Sequence, residues 1–300
     1  MKRTLLALFL THAGLAGGAY AGAPNPPPPS PAAPLPPLPP LPPMQQQTGA
    51  GTTAQLDVKG AITLRADVVA IDVEVVPGAG NRVKAELKSS SGGLRLVPRG
   101  DRVEISFESQ GGWPHVPGSL EGRLRVELPP GSNVELTTAS GEIAVRDVGG
   151  DVRLRTASGD VRLRAVRNVE VVTVSGDVIV ESANGDVRLR TVSGDAHVAQ
   201  GGTNHQLEYG TTSGDLEWSG ACGAGCRLET RAMSGDIKLH LQPSSSFELR
   251  YVTHSGDASD GLGMQTIEKS DNGSLHARYG KGEGLVEAQT FSGDLTVTKK

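Results

Sequence analysis

The chain is poor in aromatic residues. Only 4 Phe, 4 Tyr and 2 Trp occur among 300 residues. Just Trp113 and Trp218 could offer a large stacking platform. Cysteine is limited to Cys222 and Cys226, with no second pair to complete a zinc site. No tract of about 20 apolar residues exists to span a membrane. Glycine does not recur at every third position, which excludes collagen. Catalytic signatures are missing too. G-x-S-x-G, H-E-x-x-H and a phosphate loop are all absent, and the seven His are scattered.

Charge is balanced. Residues 1–48 carry only Lys2 and Arg3, so the remainder holds 27 basic and 33 acidic residues, a net charge of −6. A mildly acidic chain is a poor candidate for nucleic-acid binding. Eight Arg between Arg146 and Arg190 are matched by nine acids between Glu142 and Asp195, as on a mixed charged surface.

What is abundant is Gly (40) and Pro (20). Both are poor in helix interiors, which points to an all-β protein with many turns. The N-terminus reads as a secretory signal peptide over residues 1–23. Lys2 and Arg3 precede the apolar run Leu5–Leu10, and small residues lead to Ala19-Tyr20-Ala21 and Ala21-Gly22-Ala23. His12 and the glycines that follow make a membrane helix a weaker reading. No Cys lies near the cleavage site, so a lipoprotein anchor is not indicated. Export then places the protein in the periplasm or outside the cell, with no transmembrane segment left after cleavage. Residues 24–48 form a Pro-rich linker holding 13 of the 20 Pro, all between 24 and 43. Such a tract excludes helix and suits an extended spacer. Export also favours a disulfide between Cys222 and Cys226, in a Gly-rich C-x-x-x-C loop.

The most informative feature is a repeat. Ser-Gly-acid recurs at Gly141, Gly159, Gly176, Gly194, Gly214, Gly235, Gly256 and Gly293, with a degenerate copy at Gly273. Successive spacings are 17–21 residues, the sign of stacked units. Asp151–Arg155, Asp160–Arg164 and Asp186–Arg190 are near copies of D-V-R-L-R. Their alternation predicts half-buried strands, with Val152 and Leu154 inward and Arg153 and Arg155 outward. Two strands and two bends per coil give a parallel β-solenoid with coils of about 17–21 residues, covering residues 136–300. Coils of this length put Arg153 over Glu170, Glu170 over Arg188 and Arg164 over Glu181. Residues 49–135 are strand-like but irregular, as first rungs or a capping sheet.

The T-x-S before most glycines predicts outward ladders of hydroxyls. Asp160, Asp177, Asp195, Asp215 and Asp236 would form a carboxylate row beside them. This row and Trp113 are the candidate binding face; hydroxyl bonding that stabilises turns is the simpler role. The carboxylates could collect divalent cations weakly, but the calcium-binding nonapeptide of β-rolls is not encoded, and no cofactor is expected. The final strand-like Leu295–Thr298 would be an uncovered last rung, inviting self-association unless Lys299 and Lys300 discourage it.

Leu124-Arg-Val-Glu-Leu-Pro-Pro130, Val134–Ile143 and the later T-x-S-G-D copies resemble the bacterial "putative adhesin" family of β-strand-repeat proteins, over residues 55–300. The resemblance implies an exported solenoid-like domain and fixes no ligand. The reading is a non-catalytic binding or scaffold protein of the cell envelope, with a glycan, a protein or another copy as partner. A polysaccharide-active enzyme on a β-helix and an envelope-stress regulatory partner are the alternatives.

Overall fold

The structure is a computed structural model that describes residues 53–89, 93–108 and 121–300. The expected signal peptide, the Pro-rich linker and Trp113 lie outside the described residues. Those described form 25 strands and no helix. They are arranged in one sheet of 12 strands and one of 13. Apolar side chains from both sheets meet in one core. The chain is thus an all-β solenoid, as the repeat predicts.

Between Asn133 and Leu241 each coil sends one strand into each sheet. Val152–Thr156 lies in one and Val161–Arg164 in the other. Neighbouring coils pair in parallel. Val152 sits over Val169, Leu154 over Val171 and Thr156 over Thr173. Like side chains therefore stack in columns, and the buried-exposed alternation of Val152–Thr156 follows the period of the strand. Each fully buried Val or Leu contributes about 1.5–3 kcal/mol. The outward positions stack as well. Arg153 faces Glu135 at 3.7 Å and Glu170 at 3.4 Å. Glu170 lies over Arg188 in register. Arg164 departs from expectation, because its guanidinium bonds Asp147 on the preceding coil at 2.6 Å. Glu181 on the following coil adds only a more distant attraction.

Stacking order does not follow chain order at either end. Asn133–Thr138 packs on Thr63–Asp67, which in turn pairs with Arg102–Glu108. Beyond these, Gly93–Arg99, Arg82–Ser89 and Thr53–Asp57 add antiparallel strands. At the other end, Gly284–Ser292 lies between Arg227–Ser234 and Phe247–Ser255, parallel to both. Leu295–Lys299 likewise lies between Ile237–Leu241 and Ala258–Asp260. The C-terminal strand is therefore an internal rung, not the uncovered last one that sequential stacking predicts. Val286 and Ala288 of Gly284–Ser292 and Leu295 and Val297 of Leu295–Lys299 are fully buried. The 13-stranded sheet instead ends in the antiparallel pair Leu275–Tyr279 and Gln265–Lys269, and the 12-stranded sheet in Ala258–Asp260.

Candidate functional site

The T-x-S-G-acid segments, with Ala232 replacing Thr in one copy, make one corner of coil after coil from Thr138 onward. The Thr does not face outward as the pattern suggested. Thr138, Thr156, Thr173, Thr253 and Thr290 are buried. In the first four T-x-S copies the Thr hydroxyl donates to the carbonyl of the Ser two residues on, as from Thr156 to Ser158 at 2.8 Å. This local bond closes the bend from inside, where an unpaired carbonyl would be costly. The residue between Thr and Ser is what projects.

The Gly follows at positive φ, as at Gly194 (+128°). A Cβ there would strike the carbonyl oxygen of Gly176 on the neighbouring coil. The glycine column thus allows both the bend and the close approach of one coil to the next. Its spatial order is 141, 159, 176, 194, 214, 235, 293, 256, 273.

The acids after the glycines form a ladder. The backbone N–H of Asp177 donates to Oδ1 of Asp160 at 3.2 Å. The same bond runs from Asp195 to Asp177, Asp215 to Asp195 and Asp236 to Asp215. Asp294 and Asp257 continue the row through 2.9 Å and 2.8 Å bonds. Both belong to S-G-D copies, yet the five-member candidate row omitted them. Each carboxylate except that of Asp257, the end of the row, accepts the backbone N–H of the next acid. Arg162 approaches Asp160 at 3.6 Å and pairs with Glu142. Asp177, Asp195, Asp215, Asp236, Asp294 and Asp257 have no ion pair within 4.0 Å among the described residues. Asp195→Asn keeps the Oδ1 acceptor and should change stability by less than about 0.5 kcal/mol. Asp195→Ala removes the acceptor and should cost about 1 kcal/mol. Urea denaturation of both variants checks this; equal losses would show that charge, not acceptance, is what the ladder uses.

Trp218 is no platform. It is fully buried, and its Nε1–H donates to Oε1 of buried Gln200 at 2.8 Å. Tyr209 and Tyr251 are also buried, with phenols donating to corner carbonyls of Asp215 (3.4 Å) and Gly293 (2.6 Å). Burial pushes the Tyr209 phenol up to about 12. Cys222 and Cys226 form a disulfide and are both buried. Residue 284 is Gly because a Cβ there would press on the Cys222 sulfur at 2.8 Å.

Buried His205 lies 5.7 Å from Trp218, ring centre to ring centre. Neither ring nitrogen has a hydrogen-bond partner in the structure. Burial lowers its pKa, while the Gly201 backbone and the Asp186 charge act the other way. The folded state therefore binds this proton less readily than the unfolded chain, whose His titrates near 6.5. The stability tied to neutral His205 is complete above about pH 6.5 and is lost as pH falls from there towards the folded-state pKa. Thermal midpoints from pH 8 to 5 should drop below about 6.5, and His205→Leu should remove part of that slope. An unchanged slope in the variant would assign the acid sensitivity to other groups.

Among the described residues, no three His, Cys, Asp or Glu side chains converge to hold a metal ion. No helix among them is long and apolar enough to cross a membrane.

No curated protein matched the chain. Several solved structures are distantly similar. A putative adhesin from Parabacteroides distasonis is 9% identical, covers 83% of this chain and 96% of its own, and gives a TM-score of 0.44. A putative adhesin from Bacteroides fragilis is 11% identical, covers 83% and 96%, and scores 0.36. A putative lipid binding protein from Parabacteroides distasonis is 10% identical, covers 84% and 98%, and scores 0.29. The Toastrack DUF4097 family matches residues 61–298, from the first solenoid strands to the last, and the chain belongs to that family.

Proposed function

We propose that this chain is an exported, non-catalytic binding or scaffold protein of the bacterial cell envelope. The observation that carries the reading is the corner itself. The same short sequence recurs on coil after coil and presents a row of side chains to solvent, with successive Asp residues bonded rung to rung beside it. A regular linear surface suits an extended partner, since each coil offers an equivalent contact. Repeated, equivalent acids supply no unique acid–base pair of the kind a glycosidase needs. The N-terminal signal sequence and the Pro-rich tract support export followed by a spacer.

The test has two parts. Cell fractionation should recover the mature chain outside the cytoplasm. Photo-crosslinking through residues placed at the corner should then trap an envelope component in living cells. Cytoplasmic retention would overturn the export reading. Turnover of envelope polysaccharide by the purified protein would overturn the non-catalytic one.

A further inference from the structure

The residue between Thr and Ser is exposed on coil after coil, and it is mostly apolar. Val174 is 54% exposed, Val192 50%, Met233 62% and Phe291 59%. Thr212 and His254 occupy the equivalent places. Register puts these side chains in one row. Ser193 pairs with Ser213, Ser213 with Ser234, Ser234 with Ser292 and Ser292 with Ser255. The spatial order is therefore Val174, Val192, Thr212, Met233, Phe291, His254. The last two rings stack at 4.7 Å and 14°. Exposed apolar side chains scattered singly need no explanation; four of them in one register-aligned row of six do.

Each ridge residue lies three positions before an acid of the carboxylate ladder, so the two rows are within about 11 Å. Six of those acids have no cation partner within 4.0 Å among the described residues. The corner thus presents an apolar ridge beside an unneutralised acidic rail. Resting on the binding function proposed for the corner, we propose that this ridge is the docking surface for a cationic amphipathic helix of a partner protein.

Charge and spacing select that occupant. A second copy brought corner to corner would set acid against acid, and its described residues include no helix. Anionic glycan or lipid would meet the same repulsion. A strand running along the ridge repeats on one face every ~6.7 Å, out of step with rungs ~4.8 Å apart. The apolar stripe of a helix, taken as one side chain per turn at i, i+3 and i+7, advances about 5.3 Å per side chain. Over the roughly 24 Å from Val174 to His254 that mismatch accumulates to only about 2 Å. A helix of ~16 residues covers the distance. Its flanking Lys or Arg would lie over the rail.

The probe is a labelled peptide of about 18 residues containing only Leu and Lys at helical amphipathic spacing. Its anisotropy is followed as the full chain is added, and its helicity by circular dichroism. The wild-type protein should bind it and raise its helicity. Met233→Ser with Phe291→Ser should weaken binding about tenfold or more, as for central anchors in an interface. Asp195→Asn with Asp215→Asn keeps the ladder acceptors and should weaken binding at low salt while flattening its salt dependence. A Leu–Glu peptide, and a Leu–Lys peptide scrambled to remove the stripe, should bind at least tenfold less well. Equal binding by either control, or unchanged affinity in the Met233/Phe291 variant, overturns the proposal. So would attachment to zwitterionic phosphatidylcholine vesicles that the same variant loses, which would reassign the ridge to a lipid surface. Crosslinking to an envelope component that persists in the variant would overturn the ridge assignment while leaving the binding reading intact.

Discussion

Gly194→Ala is expected to destabilise the protein by more than about 3 kcal/mol. Two costs add. At φ +128° an L side chain is strained whatever space surrounds it. The new methyl would also strike the Gly176 carbonyl, a backbone atom that cannot turn aside. Relief would require the two coils to separate at this corner, loosening the Asp195–Asp177 and Asp215–Asp195 bonds. Gly202→Ala is the matched control. Its φ is +81°, but nothing lies within 4 Å of the added Cβ. Backbone strain alone should cost ~1–2 kcal/mol. Chemical denaturation of both variants gives the comparison. Equal losses would mean that the column serves the bend only and that the close approach between coils is unimportant.

Much of this architecture was legible in the chain. The strands D-V-R-L-R alternate, the glycines mark the corners, and the coil length follows from their spacing. Arg153 over Glu170 and Glu170 over Arg188 follow from the sequence period alone, because a parallel stack preserves register. Other features were hidden for physical reasons. T-x-S looks outward by simple alternation, yet the chain bends there and turns the Thr inside. The exposed middle residue varies among Ala, Val, Thr, Met, Phe and His, so no motif draws attention to it. Trp218 looked available because an isolated aromatic has no sequence partner; Gln200, 18 residues away, supplies one on the adjacent coil. Arg164 could be placed over Glu181 by period, but period does not choose between neighbours, and Asp147 lies closer.

Stacking order was the largest omission. A repeat announces how long each coil is, while the loop between coils decides which neighbour it joins. Lys269–Leu275 reverses the chain, so Leu275–Tyr279 pairs antiparallel with Phe247–Ser255. The final strands then return to the face of Phe247–Ser255 opposite this hairpin, and enter between two coils that are consecutive in sequence.

Removal of residues 284–300 should therefore act as the loss of an internal rung. In a sequential solenoid, trimming the last coil exposes one new edge and leaves the rest intact. Here it strips the pairing partner from both sides. Arg227–Ser234 and Ile237–Leu241 lose one neighbour each, and Phe247–Ser255 keeps only the hairpin Leu275–Tyr279. Buried Val286, Leu295 and Val297 go with the segment, each contributing about 1.5–3 kcal/mol. Gly284 also covers the disulfide, and its N–H donates to Ser246 at 2.8 Å. The combined loss is comparable to the whole stability of an ordinary domain, about 5–15 kcal/mol. The chain ending at Glu283 is expected to lose hydrogen-exchange protection in residues 227–260, while strands from Asn133 to Arg190 keep theirs. If protection in residues 227–260 survives the truncation, the C-terminal coil is not what joins these strands, and Arg227–Ser234 must instead pair directly with Phe247–Ser255.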